Sequence, residues 1–181
     1  MAPASLVPVI ETERLRLRGH TLADLDSSAA MWADPVVVRH LGGKPSTREE
    51  AWGRLQRYAG LWALIGYGYW LIEEKTTGRF VGEGGFADFK RGTSPPLTEP
   101  EQGWALAAWA HGRGYGSEAV AAQMSWAERK FGREAAFVCV IDVENAPSIR
   151  LAEKHGYREF ARSTYRDAPT ILFRRPGAMT R

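Results

Sequence analysis

The chain has a single cysteine, Cys139, so an intramolecular disulfide is excluded. Its four histidines, His20, His40, His111 and His155, are scattered. A zinc site built from them would need carboxylates to complete it, and no metal is expected. Asparagine occurs once, at Asn145. No stretch reaches the roughly 18 apolar residues that a membrane-spanning helix needs. The opening MAPASLVPVIETERLRLR has no basic region ahead of its short apolar part, which argues against a signal peptide. Together these absences suit a soluble, reduced, cytoplasmic protein with no membrane partner. A strong charge of one sign is also missing. Lys+Arg number 24 and Asp+Glu 21, a net +3. So small an excess is weak support for a nucleic-acid partner, and none is expected. There is no fixed-period repeat and no low-complexity tract.

What is present is ordinary globular material. The 181 residues are 44% hydrophobic and 25% charged. That is enough chain for one domain, residues 1–181, with a core that needs no disulfide or metal. Leu15–Arg18 alternates apolar and basic residues and suits a first strand. Residues 21–32 suit a short helix opened by Thr21 and Asp24 and ended by Pro35. Ser46 or Thr47, with Glu49 and Glu50, opens a second helix running to about Leu64, and Gly66 stops it. Tyr67–Glu73 and Arg79–Phe89 read as a hairpin around Lys75–Gly78. Residues 90–100 form a Pro-, Thr- and Gly-rich loop, and Glu101–Ala108 a strand. A helix follows over Ser117–Phe131, then a strand over Ala135–Val143, apolar enough to be covered on both faces. Asn145–His155 is a short helix, and Tyr157–Tyr165 and Thr170–Arg174 complete the sheet. The order implies an α/β (α+β) fold, a mixed sheet of six to seven strands with helices on both faces.

Two segments carry chemistry. In Ala110-His-Gly-Arg-Gly-Tyr-Gly-Ser-Glu118, glycines at 112, 114 and 116 lie where a strand passes into a helix. Glycine lets backbone approach a ligand closely, and the free N–H groups of a first helical turn favour an anion such as a pyrophosphate. Arg113 can add a charge-assisted contact. The bland alternative is a glycine-rich turn with no ligand. No Lys-Ser/Thr follows the glycines and the spacing is not G-x-G-x-x-G, so neither a nucleoside-triphosphate loop nor a dinucleotide fold is indicated. In the second segment, Asn145 sits at a strand-to-helix junction with Pro147 in the first turn. It reads as an N-cap, which leaves Asn145 and Ser148 able to face a ligand as well. Glu83 lies between Gly82 and Gly84, a context of close approach, and equally suits a hairpin surface charge. Cys139 reads as a small core residue.

These segments together resemble the GCN5-related N-acetyltransferase (GNAT) superfamily, and within it the RimJ/RimL-like branch of ribosomal-protein N-acetyltransferases. The resemblance rests on four pieces in order: Thr12–Arg18, Glu101–Leu106, Gly112–Ala119 and Asn145–Tyr157. His111 departs from the Gln/Arg of the superfamily loop; an aromatic residue is common there in this branch. The resemblance implies a mostly antiparallel sheet that splays between the family's fourth and fifth strands. It implies acetyl-CoA as co-substrate, with no metal, and an amine acceptor that is a protein N-terminus or a small molecule. The protein would be a monomer or homodimer. The pyrophosphate would lie on His111, Gly112, Arg113, Gly114, Tyr115, Gly116 and Ser117. The pantetheine arm would lie along Trp104, Ala105 and Leu106, with the Leu106 N–H at the thioester carbonyl. Asn145 would hold the arm or a water, and Ser148 would hydrogen-bond the leaving thiolate. Glu101 is the first candidate for the base, with a solvated strand-end acid as its alternative, and Glu83 is the second. Trp32, Trp52 and Trp62 fall on the two early helices that cover the acceptor side, so Trp32 and Trp52, with Glu83, are candidate acceptor contacts. An acyl-CoA-binding regulatory module without catalysis is the competing reading.

Overall fold

The computed structural model describes residues 6–178. Among them one sheet runs β1 (Ile10–Glu11), β2 (Leu15–Arg18), β3 (Tyr69–Glu74), β4 (Phe80–Ala87), β5 (Glu101–Leu106), β6 (Phe137–Asp142), β8 (Ala168–Arg175), β7 (Arg158–Tyr165). All neighbours pair antiparallel except β5 and β6, which are parallel. The sheet thus has eight strands where six to seven were expected. The additional one is β1, whose two residues are too few to carry an alternation signal.

The helices follow local chemistry. The residue run at 21–33 divides into a 3-10 turn at Leu22–Asp24 and α1 (Leu25–Ala33). Asp24 reaches back to accept from the Thr21 N–H and hydroxyl. Pro35 does end α1, but it also opens α2 (Pro35–Val38), with Asp34 accepting from the Val36 N–H. Proline is favoured at that first position because its missing N–H is not needed there. In α3 (Arg48–Ile65), Thr47 and Glu50 make the reciprocal capping box, and Gly66 closes the helix at φ +73°. α4 (Tyr115–Phe131) begins two residues earlier than expected and ends at Gly132. α5 (Ala146–Lys154) is capped by Asn145, whose Oδ1 accepts from the Ser148 N–H at 3.2 Å.

Register assigns the two faces of the sheet. Glu83 lies opposite Ala105, Gly85 opposite Gly103, and Ala87 opposite Glu101. Opposed residues share a face, and this face is packed by Met31 and Trp32 of α1 and Tyr58 of α3. The alternate residues Gln102, Trp104 and Leu106 point to the other face, against Gln123, Ser148 and Gly116 of α4 and α5. The main core lies there, built on Trp70, Phe86, Val120, Phe137 and Tyr157.

Candidate active site

Two strands that run parallel and then part create the site. β5 and β6 share one register pair, Glu101 with Val138, and the Val138 N–H donates to the Pro100 carbonyl at 3.1 Å. Beyond that point β5 keeps only its β4 partner. Peptide groups alternate sides along a strand. The Pro100 carbonyl faces β6, so the N–H and C=O of Trp104 and Leu106 face the same way, into the gap. The intervening Ala107 N–H turns to β4 and donates to the Val81 carbonyl at 2.9 Å. The gap is therefore edged by backbone that β6 does not pair. One polar group there is taken: His111 Nε2 lies 2.9 Å from the Leu106 carbonyl. A carbonyl only accepts, so this His111 nitrogen carries a proton.

The gap leads into the turn before α4. Gly112 (φ +72°) and Gly114 (φ +80°) adopt left-handed backbone that side chains resist. Gly116 serves differently. A Cβ there would meet Leu151 and Leu106 only at ordinary contact distances, so the packing of α4 on α5 and β5 does not require a glycine. Tyr115 contributes backbone only. Its ring is buried beneath the Arg14 guanidinium and its hydroxyl donates to Glu74. Arg113 is exposed, with its guanidinium 5.5 Å from the Trp109 ring. The Ser117 hydroxyl pairs with His155 Nε2 at 3.0 Å. Burial, Lys154 and Arg175 lower the His155 pKa and favour the neutral ring.

Residues far away in sequence hold this turn. Glu118 accepts from the Thr12 hydroxyl, the Arg14 N–H and the Arg14 guanidinium. Arg14 also donates to the Arg113 carbonyl at 2.9 Å. Burial raises the Glu118 pKa, but these donors outweigh it and hold the carboxyl below its usual range. Sequence reasoning marked the Thr12–Arg18 and Gly112–Ala119 pieces without seeing that one clamps the other.

At the start of α5, Trp104 Nε1 donates to Ser148 Oγ at 3.2 Å. That bond occupies a lone pair of the hydroxyl and leaves its proton free to point elsewhere. Asn145 spends its oxygen on the cap and keeps its amide N–H groups.

On the opposite face, both candidate bases are already bound. Glu101 is buried and receives Arg91 Nε at 2.6 Å and Nη2 at 2.7 Å. Burial works against the Arg91 charge, yet Glu101 overcomes it and raises the Arg91 pKa. Glu83 is 0% exposed, so a hairpin surface charge is excluded. It accepts from Ser28 Oγ at 2.7 Å and Trp32 Nε1 at 2.8 Å, with His20 Nε2 at 3.4 Å. Burial pushes its pKa up, but His20, Trp32 and Ser28 outweigh it and keep the carboxyl below its usual range. Trp32 is thus a partner of Glu83 and packs in the core that holds Ala105. Trp62 lies in the main core against Trp70 and Trp126. Trp52 is half-buried on α3 and belongs to none of the three cores.

Tyr69 was not foreseen. Its ring stacks on Tyr58 at 4.5 Å, and a Cβ at Gly103 would collide with its hydroxyl. Burial, Tyr58 and Glu101 raise its pKa well above the usual phenol value, so it stays a neutral hydroxyl beside the parting strands. His40, Asp142 and Glu144 also gather at the C-terminal end of β6, with ligand-type atoms within 4.8 Å of one another. There Asp142 accepts the Glu144 N–H, as in an ordinary turn.

Comparison with known proteins places this architecture. The family model described as "Acetyltransferase (GNAT) domain" matches residues 14–158, and the chain belongs to that family. It is an acetyltransferase by that membership. The Bacillus subtilis protein YkkB is 33% identical over 153 residues, which is 80% of this chain and 82% of YkkB. A structure from Bordetella pertussis assigned to the GNAT family is 32% identical with a TM-score of 0.81, covering 93% of this chain and 99% of that one. RimL, the ribosomal L7/L12 α-N-protein acetyltransferase solved with coenzyme A, is 16% identical with a TM-score of 0.74. It covers 93% of this chain and 98% of its own, and shares the fold.

Proposed function

We propose that the protein transfers the acetyl group of acetyl-CoA to a primary amine, both substrates being bound at once. One observation carries this reading: the β5 edge at Trp104 and Leu106, which β6 leaves unpaired, leads through a short 3-10 turn at Ala108–Ala110 to the Gly112–Gly114 turn and the α4 N-terminus. An extended amide-bearing arm pairs with such an edge as an added strand does, and a pyrophosphate suits the N–H groups of the turn. These are the two halves of coenzyme A.

In this reading Leu106 N–H donates to the thioester oxygen and stabilises the negative charge that grows there, worth about 3–4 kcal/mol for one such donor. The amine nitrogen attacks the carbonyl carbon, the C–N bond forms, and the C–S bond breaks. Ser148, oriented by Trp104, gives its hydroxyl hydrogen bond to the departing sulfur. The assignment of Glu101 as base is revised. With both its oxygens on Arg91, it positions the guanidinium instead of collecting the proton. The amine arrives neutral and loses its second proton to water. An α-amine has a pKa of about 8, so a useful fraction is neutral near pH 7. A rise of kcat/KM with pH that levels off at the acceptor's own amine pKa is the expected profile. A rise through a carboxylate pKa would restore Glu101 or Glu83 as base.

The acceptor is a protein N-terminus or a small amine, and the acting unit is a single domain, monomeric or dimeric, in the cytoplasm. None of the described helices is long and apolar enough to cross a membrane. The test is thermal unfolding with acetyl-CoA, desulfo-CoA, ATP and NAD, followed by thiol release with a panel of amines. Stabilisation by the CoA ligands alone, with amine-dependent thiol release, is expected. CoA binding with no thiol release from any amine would favour the non-catalytic module, which the occupied state of Glu83 and Glu101 otherwise supports. No stabilisation by either CoA ligand at millimolar concentration would end the reading.

A further inference from the structure

On the face of the sheet that carries Glu83 and Ala105, α3 places a cation with no ion-pair partner within 4.0 Å among the described residues. The Arg54 guanidinium lies 3.7 Å from the centroid of the Trp32 ring. Its Nε is buried without a hydrogen-bond partner. Among the described residues it forms no ion pair within 4.0 Å. Glu50, one helical turn earlier, stands where an i,i+4 partner would. Its carboxylate is turned back onto the Thr47 N–H at 2.7 Å to complete the cap. Glu83 is bound to the same indole that carries Arg54, yet its oxygens face Ser28, Trp32 and His20. Leaving a buried guanidinium nitrogen unpaired is costly and calls for a partner, a water or a ligand group among the candidates.

The position of this unpaired cation gives it meaning. Trp32 carries Arg54 on its ring and donates its own N–H to Glu83, and it shares a core with Ala105. Ala105 lies between Trp104 and Leu106, the two residues whose N–H groups edge the gap. Arg54 is therefore attached through one indole to the strand where the acetyl group would be transferred. The Tyr58 hydroxyl also lies in hydrogen-bonding reach of this guanidinium, and the terminal nitrogens of the planar fork match a carboxylate on the acceptor side of that strand.

Resting on the acetyltransferase reading, we propose that Arg54 selects the acceptor by pairing with a carboxylate, so that the preferred substrates are amines that also carry a carboxylate group. Such a group has two sources: the carboxylate of a free amino acid, or the acidic side chain of an Asp or Glu that begins a polypeptide. The chemistry at Arg54 is the same for both. The reach of the site decides between them.

The experiment compares matched pairs of acceptors by thiol release. One arm sets free amino acids against their amides. The other sets peptide amides beginning with Asp or Glu against those beginning with Asn or Gln. Initial rates are corrected for each amine's neutral fraction. The expected result is a preference of about tenfold or more for the carboxylate member in one arm, because a site built to pair a group rejects the analogue that lacks it. Arg54→Met should bring that ratio to about one through a higher acceptor KM, with the acetyl-CoA KM unchanged. Arg54→Lys should restore part of the preference. Arg54→Glu should turn it towards diamines. Cooperative melting of each variant separates these effects from unfolding, and Arg54→Lys serves if Arg54→Met does not fold. Equal use of the neutral twins in both arms overturns the proposal, as does a preference that survives in Arg54→Met. Acetylation of neutral amines alone overturns it while leaving the acetyltransferase standing. Failure to bind acetyl-CoA would bring down the underlying reading instead.

Discussion

Glu83 shows how a single residue changes meaning between sequence and structure. Flanked by glycines, it was read as the second candidate base and an acceptor contact, or else as a surface charge. In the fold it is fully enclosed and receives hydrogen bonds from α1. Removing its charge leaves buried donors with a poorer acceptor, so Glu83→Gln should cost about 1–3 kcal/mol at pH 7. The pH dependence follows from the direction of its shift. A carboxyl whose pKa is lower folded than unfolded adds stability above the unfolded value and loses it as pH falls through the folded one. Urea melts of wild type and Glu83→Gln should therefore differ at pH 7 and converge as pH falls below 4.5, the ordinary value for this group. A gap that stays constant to pH 3 would show that Glu83 acts by shape alone. Ser148 makes a second prediction at this scale. With Trp104 fixing the hydroxyl, Ser148→Ala should lower kcat by about 10²-fold and leave acetyl-CoA binding nearly intact. Equal loss in kcat and binding would assign Ser148 to holding the arm.

At the scale of elements, the informative feature is the junction of β5 with α4. Gly114 caps α4 in left-handed backbone, so Gly114→Ala introduces about 1–2 kcal/mol of strain there. The turn it distorts is the one proposed to hold the pyrophosphate. The acetyl-CoA KM should rise and the acceptor KM should not, a split that titration against both substrates reads directly. Much of this element was legible in advance. The glycine spacing, the Gly132 stop, an α3 start at Ser46 or Thr47 and the Asn145 cap are local chemistry, decided within about four residues; the structure chose Thr47. The start of α4 was placed two residues late because Gly114 is the cap and Tyr115 the first helical residue, a detail that depends on backbone torsion. The clamp of Thr12 and Arg14 on Glu118 was invisible, because it joins residues more than 100 positions apart.

For the whole molecule, the single parallel contact between β5 and β6 divides an eight-stranded sheet into two halves that diverge. The N–H groups of Trp104 and Leu106 should exchange with solvent faster than those of Ala105 and Gly103, which face β4. Saturating acetyl-CoA should slow the first pair selectively, as peptide groups joining an added strand are protected. A uniform slowing across the sheet would mean general stabilisation, without a strand-like mode of binding. Ligand at 100 times its Kd should stabilise the fold by about 2.7 kcal/mol.

The sequence by itself determined the order of the longer strands and helices, the apolar strand β6, the phosphate-suited turn and the family likeness. Each is written in short-range spacing, where a cap, a glycine or an alternation acts on its immediate neighbours. Tertiary structure decided which side chains meet. It enclosed Glu83 beneath Trp32, tied Glu101 to Arg91, laid Tyr69 over Gly103 and left Arg54 on an indole with no anion. Those outcomes depend on register between strands and on the seating of α1 and α3 on one face of the sheet. Contacts between residues tens of positions apart are set by the packing of whole elements, and no local pattern records them.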